Sequence, residues 1–239
     1  MTTPNILLWD IEATNLNADF GVILSVSWKR LHEKKVHNVN IGQFKSFQTD
    51  RTNDKEVVKQ AIATLSEADM IVDWFGTYYD IPMLNTRALF HGLQPLPPIA
   101  HVDGWMIAKR KMKLHSNRLA SVQSFLGVEE KTPLNGPIWI RAAAGYKDAL
   151  AYVVEHNDQD CVVLEQVYDK IKGLCNFHPN VSVMSGSVDD EKPHCPICDS
   201  AKLQQRGRTV TKTGFRQRFQ CTACGGWFSG KHQKVADIS

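Results

Sequence analysis

The chain has 239 residues, 43% of them hydrophobic, which is enough for a packed core and suggests one medium domain plus a small module. Its net charge of +3 excludes neither acidic nor basic partners. Met1 to Asp10 has no basic region before its short apolar run, and Asp10 and Glu12 follow that run, so neither a signal peptide nor a membrane span is expected.

Along the chain, Asn5 to Trp9 is an apolar run ending in carboxylates, while Val22 to Trp28 and Lys35 to Gln43 alternate apolar with small or polar residues. These predict three strands in an antiparallel meander. From Asp54 the spacing of Val57, Val58, Ile62 and Leu65 predicts a helix, and Met70 to Phe75 a further strand. Ile81 to Phe90 reads as a helix with Pro82 in its first turn, and a short strand is expected at Ile99 to Val102. Ser116 or Asn117 can cap a helix that carries Leu119, Val122, Phe125 and Leu126 and ends at Gly127. Lys147 to Lys172 places Leu150, Val154, Cys161, Leu164, Val167 and Ile171 near one face of a long helix. Three strands followed by helices alternating with single strands predict an α/β fold, a mixed sheet flanked by helices. From Gly173 the composition turns to Asn, Pro, Ser, Gly and Asp and reads as a linker.

Several carboxylates stand where chemistry would need them. Asp10 and Glu12 are two apart on a strand, so both side chains leave the same face of the sheet, where they repel each other unless a cation lies between. The pair alone also fits solvated residues at a strand end. Asp80 follows a strand and a Gly turn, where a helix cap would also stand. Asp160 falls in the middle of the long helix among inward-facing residues, where an unpaired carboxylate is costly. A hard divalent ion, Mg²⁺ or Mn²⁺, would supply the partner and leave positions for phosphate and water. Asp103, after a strand, reads as a cap or core-edge residue, and Asp158 and Glu155 as solvated.

Asp10-Ile11-Glu12-Ala13-Thr14 resembles the first motif, D-x-E-x-T, of the DEDD exonucleases, the superfamily of polymerase proofreading domains. Phe75-Gly76 through Tyr79-Asp80-Ile81-Pro82-Met83-Leu84 is similar to the second motif, in the form found in family B polymerases and YprB-like nucleases, and His156 to Leu164 resembles the third. The three motifs stand in order across residues 6 to 164. The resemblance implies a ribonuclease H-like fold for residues 1–172 and 3'-5' exonuclease action by a two-metal mechanism. Asp10, Glu12, Asp80 and Asp160 would hold two Mg²⁺ or Mn²⁺ ions, and 5'-mononucleotides would leave a 3' end. DNA is favoured over RNA as substrate, and a replication or repair protein is a partner of the kind implied. The rival expectations are an RNA exonuclease and a catalytically silent adaptor. One departure stands out: the family's general base is a Tyr four residues before the last Asp or a His five before it, and here His156 holds the Tyr spacing. Residues four apart share a helix face, so His156 is expected to orient or deprotonate the attacking water, the alternative being a surface histidine on a polar helix turn. Phe75, Tyr78 and Tyr79 beside Asp80 can stack unpaired bases, although core packing explains such rings as well.

Cys195-Pro196-Ile197-Cys198 and Cys221-Thr222-Ala223-Cys224 form two CxxC knuckles. In a chain expected to be cytoplasmic and not exported, four thiolates in this pattern indicate one structural Zn²⁺ rather than disulfides. Residues 195 to 231 hold seven Lys and Arg against one Asp, so the rest of the chain is net negative. Leu203 to Thr211 and Phe215 to Gln220 suggest a two-stranded ribbon bearing Arg206, Arg208, Lys212, Arg216 and Arg218. Trp227 and Phe228 would pack its small core. Gly214 to Gly225 resembles the zinc ribbons of transposase-associated DNA-binding proteins, which implies a second grip on nucleic acid, the alternative being a stabilising or protein-binding ribbon. The expected organisation is thus an exonuclease domain over 1–172, a linker over 173–193, the ribbon over 194–230 and a tail over 231–239. Cys161 and Cys175 read as core or linker residues.

Overall fold

The computed structural model describes residues 3–128, 136–187 and 193–234. Strands β1 (Ile6–Ala13), β2 (Ile23–Arg30) and β3 (Val36–Asn40) form the expected antiparallel meander, and β4 (Met70–Asp73) and β5 (Ala100–Asp103) continue the sheet in parallel from β1. The order is β3-β2-β1-β4-β5, a mixed sheet with β1 at its centre.

The period of two sorts β1 between two cores. Leu7, Trp9 and Ile11 join one apolar cluster with Val57, Val58, Ala61 and Leu65 of α2 (Lys55–Ser66) and Met83, Leu84 and Ala88 of α3 (Asp80–Phe90). Ile6 and Leu8 face the other cluster, built from α4 (Gly104–Lys111), α5 (Leu119–Phe125) and the C-terminal half of α7 (Lys147–Ile171). A short α1 (Ser46–Thr49) and an amphipathic α6 (Gly136–Ala143) complete this unit. The sequence patterns reveal neither α4 nor α6. The cap of α5 also differs in detail: Arg118 is the N-cap, and Ser116 Oγ accepts its N–H at 3.2 Å. Gly127, at φ +62°, ends that helix in the left-handed conformation that favours glycine.

One buried ion pair ties the first face together. Asp54 is 0% exposed and accepts hydrogen bonds from Ile23 N (2.8 Å), Arg87 Nε (2.9 Å) and Arg87 Nη2 (2.7 Å), with His91 Nε2 2.6 Å away. Replacing Asp54 with Ala strands the buried Arg87 charge. The expected loss of stability is about 3–5 kcal/mol, read as a lower urea midpoint at unchanged slope.

The C-terminal part is a separate sheet of β6 (Leu203–Val210), β7 (Gly214–Cys221) and β8 (Trp227–Lys234), ordered β6-β7-β8. The ribbon therefore has three strands rather than two. The third begins at Trp227 and Phe228 and runs into the expected tail. Phe228 stacks on Phe219 at 5.3 Å, while Trp227 is 47% exposed rather than packed inside.

Residues 173–187, of linker composition, carry helix α8 (Val181–Met184) and are packed down: Val181 is buried in the second cluster and its N–H meets Pro196 O at 2.7 Å. A side chain at Gly173 would put its Cβ 2.0 Å from Cys224 O, so backbone of the ribbon lies directly on the end of α7. The remaining linker residues 188–192 and tail residues 235–239 lie outside the described residues. Among the described residues no helix is long and apolar enough to cross a membrane.

Candidate active site and cysteine cluster

β1 outruns β4. Their pairing ends at Leu8↔Val72, and beyond it Ile11 N donates to Asp80 Oδ1 at 3.1 Å, so the first residue of α3 takes the place of a strand partner. This opens a crevice at the carboxyl ends of the parallel strands, where ligands of open α/β sheets bind. A cleft of about 380 Å³ there is lined by Asp10, Glu12, Tyr79, Asp80, Trp139 and Asp160 among others. Asp10 and Glu12 follow Leu8 on the face that α7 covers, and α7 supplies His156 and Asp160 one turn apart. The five residues expected from the sequence thus meet at one place.

Each is held by neighbours. Asn157 Nδ2 donates to Asp10 Oδ2 at 2.8 Å and its Oδ1 accepts from Ser25 Oγ at 2.8 Å. Asn38 Nδ2 in turn donates to Ser25 Oγ and Ser27 Oγ, both at 2.7 Å. Ser27 Oγ donates to Asp158 Oδ1 at 2.6 Å, so Asp158, expected in solvent, is half-buried in this network instead. Burial raises its carboxyl pKa, against the hydrogen bonds from Ser27 and Asn38. Glu155 is exposed, as expected. On the other side, Trp139 Nε1 donates to Glu12 Oε2 at 2.9 Å.

Asp80 is 2% exposed. Burial, and after it the charge of Asp73, hold its carboxyl well above the usual range. Asp73 is itself buried against His101 Nε2 at 2.7 Å and raised by burial. Two neighbouring buried carboxylates disfavour each other's charge, and a cation in the cleft would relieve this.

His156 stands one turn from Asp160 at the site, where the helix spacing places it, and not at the surface. Its side chain is 1% exposed, under the Trp139 ring, which stands edge-on at 5.4 Å. Nε2 faces Glu12 Oε1 at 3.6 Å and Asp160 Oδ2 at 3.9 Å.

The aromatic residues divide. Tyr79 lines the cleft, half-buried, and burial followed by the Asp80 charge raises its phenol pKa. Phe75 and Tyr78 stand outside it and form a partly exposed trio with Trp105, centroids 5.0 to 5.6 Å apart. Phe75 sits at φ +72°, a conformation costing about 1 kcal/mol or more for a residue with a side chain. Asp103 holds it there: the carboxylate accepts from Phe75 N (2.9 Å) and Thr77 N (3.2 Å) while capping α4 through Trp105 N (2.9 Å).

The four knuckle cysteines also converge. Cys195 Sγ lies 3.6 Å from Cys224 Sγ and Cys198 Sγ 3.7 Å from Cys221 Sγ, with all four within 4.8 Å of one another. Contact with the Cys195 thiol, and burial, raise the Cys198 thiol above its usual range. Asp199 beside them accepts from Ser185 Oγ and Ser187 Oγ at 2.7 and 2.8 Å, tying the cluster to the α8 segment. Cys161 and Cys175 are buried in the main body, apart from this cluster.

The basic ribbon residues are all exposed or half-exposed but do not form one patch. On β7 the half-buried Phe215, Gln217 and Phe219 alternate with exposed Arg216 and Arg218, which face the opposite way. The Phe215 side forms the floor of a groove of about 1160 Å³ with Arg208, Phe228, Lys231 and His232, larger than the carboxylate cleft and, among the described residues, without an acidic residue in its wall. Arg208 covers Phe215 at 4.2 Å, whereas Arg218 covers Trp227 at 4.9 Å. Lys212 stands in the β6–β7 turn.

The fold and the carboxylate cleft define a nuclease-like α/β protein. The RNase_H_2 family model, of the RNase H superfamily, matches residues 7–172, and the chain belongs to that family. Among solved structures the chain is similar to the family B DNA polymerase from the hyperthermophilic archaeon Pyrobaculum calidifontis, with a TM-score of 0.57 and 13% identity over 89% of this chain. The match spans 32% of that polymerase, about a third of its length, and at this identity it speaks for the fold alone. No curated protein matches the chain in sequence.

Proposed function

We propose that the chain is a metal-dependent 3'-5' exonuclease that hydrolyses DNA from its 3' end to 5'-mononucleotides. The observation that carries this is the convergence of Asp10, Glu12, Asp80 and Asp160 on one cleft at the carboxyl end of the sheet. A set of oxygen donors, two of them on one strand and one raised in pKa by burial, suits Mg²⁺ or Mn²⁺. When bound, such ions lower the pKa of the attacking water and stabilise the leaving 3'-oxygen. The chain's own residues fix the donors: Asn157 orients Asp10, Trp139 orients Glu12, and Ile11 N orients Asp80. Tyr79 forms a wall against which a terminal nucleoside can rest, and the Phe75, Tyr78 and Trp105 trio offers stacking surface outside the cleft.

In the same proposal the four cysteines hold a structural Zn²⁺. Four donors about 2.3 Å from one ion in a tetrahedron stand about 3.8 Å apart, close to the sulfur separations here. The ribbon grips the strand away from its end through the Arg208 groove, with Arg206, Lys212, Arg216 and Arg218 adding phosphate contacts. A replication or repair protein is the expected partner.

The test compares single-stranded DNA, duplex DNA with a recessed 3' end, and RNA of the same sequence, each 5'-labelled, beside a circular single strand of DNA. Progressive shortening from the 3' end, faster on DNA, is the expected result. Faster loss of RNA would reassign the substrate, and cutting of a circular strand would make the enzyme an endonuclease. Within this account Asn157→Ala removes one hydrogen bond that orients the Asp10 carboxylate, so kcat should fall about 10- to 100-fold with KM little changed in steady-state assays.

A further inference from the structure

Glu12, His156 and Asp160 share a geometry that a purely carboxylate site does not use. His156 Nε2 is 3.6 Å from Glu12 Oε1 and 3.9 Å from Asp160 Oδ2, both longer than a hydrogen bond. One donor atom from each of the three lies within 4.8 Å of the others. Donors about 2.1 Å from a shared divalent ion are separated by about 3.0 Å at right angles and about 4.2 Å when opposite. Both measured separations fall inside that interval.

The surroundings enforce the arrangement. Trp139 occupies Glu12 Oε2 at 2.9 Å, which turns Oε1 toward the imidazole. The helix repeat sets His156 and Asp160 on one face of α7. A general base must come within about 3 Å of the water it deprotonates. This ring is 1% exposed, covered by Trp139, and aims its nitrogen at two carboxylates.

We infer that His156 is a nitrogen ligand and not the base, so that Glu12, His156 and Asp160 form a mixed nitrogen–oxygen site for a first-row transition ion, Mn²⁺ in preference to Mg²⁺. Carboxylate oxygens accept either ion, while imidazole adds affinity for the transition metal and little for magnesium. The inference rests on the metal-dependent nuclease proposal and names the ion its cleft takes.

The test is electron spin-echo modulation of Mn²⁺ bound to the full chain with its cysteine cluster already loaded with Zn²⁺. Nitrogen-14 modulation is expected, replaced by the nitrogen-15 pattern when the protein carries nitrogen-15 histidine. The labelled, unaltered chain gives this answer even where a variant fails to fold. His156→Asn should abolish the modulation and weaken Mn²⁺ binding about tenfold or more, leaving Mg²⁺ affinity within about twofold. Bound Mn²⁺ without histidine modulation, or modulation that persists in His156→Asn, overturns the assignment while leaving the nuclease proposal intact. Failure of Mn²⁺ to bind at all overturns both.

Discussion

Asp80→Asn should lower turnover by about 10³-fold or more and at the same time raise the melting temperature of the metal-free protein. The loss follows from removing one anionic ligand from a site whose ions supply several kcal/mol of transition-state stabilisation. The gain follows from burial and the charge of Asp73, which hold the Asp80 carboxyl well above its usual range. In the unfolded chain the group ionises near pH 4. The metal-free fold therefore bears no penalty below about pH 4, weakens as the pH rises above it, and carries the full penalty above the folded value. The amide keeps an Oδ1 to accept from Ile11 N without the charge. The stability advantage of the variant should shrink to nothing near pH 4 in calorimetry, and a variant that melts lower than the parent at neutral pH would contradict this electrostatic account.

Changing Cys195 and Cys198 together to Ser should unfold the ribbon, because a module this small draws its folding energy from the metal, about 10–16 kcal/mol for structural zinc. From Asp160 to Ile171 the helix rises about 16 Å, and the ribbon docks just beyond, at Gly173. A ribbon held at that distance touches only substrates long enough to reach it. Affinity for long single strands should fall about 10²-fold at low salt, and the slope of log K against log salt should flatten by about 0.7 for each phosphate that the ribbon no longer neutralises. Hydrolysis of a small nucleotide ester should persist. Equal loss on both substrates would show that the ribbon supports the fold of the main body, to which it is tied through Val181 and Pro196.

Much of this molecule is legible in the sequence because its signals are local. The period of two puts Asp10 and Glu12 on one face of β1, the long apolar stripe defines α7, and paired CxxC knuckles announce a four-cysteine cluster. What the sequence hides depends on contacts between distant segments. Asn157 lies three residues before Asp160 and shares its helix face, a signal that local spacing does carry. Its role nevertheless appears only once Ser25 and Asn38 from the meander meet it. Trp139 sits on a short helix opened by Gly136-Pro137, where eight residues give too little periodicity to stand out. Asp158 reads as solvated because its neighbours in sequence are polar, yet Ser27 of β2 and Asn38 of β3 enclose it. Gly226, Gly230 and the exposed Trp227 disguise the alternation of the third ribbon strand. Helix spacing puts His156 on the correct face of α7, but its burial beneath Trp139 is a tertiary fact that such spacing does not carry.

The measurement that bears most directly on the central claim is digestion of a 5'-labelled single strand of DNA by the zinc-loaded full chain, with Mn²⁺, Mg²⁺ or EDTA, and with Asp10→Asn alongside. The account predicts a ladder shortening from the 3' end with release of 5'-mononucleotides, abolished by EDTA and by Asp10→Asn. A folded chain that leaves the strand intact with either ion, or that shortens it equally well in EDTA, would contradict it.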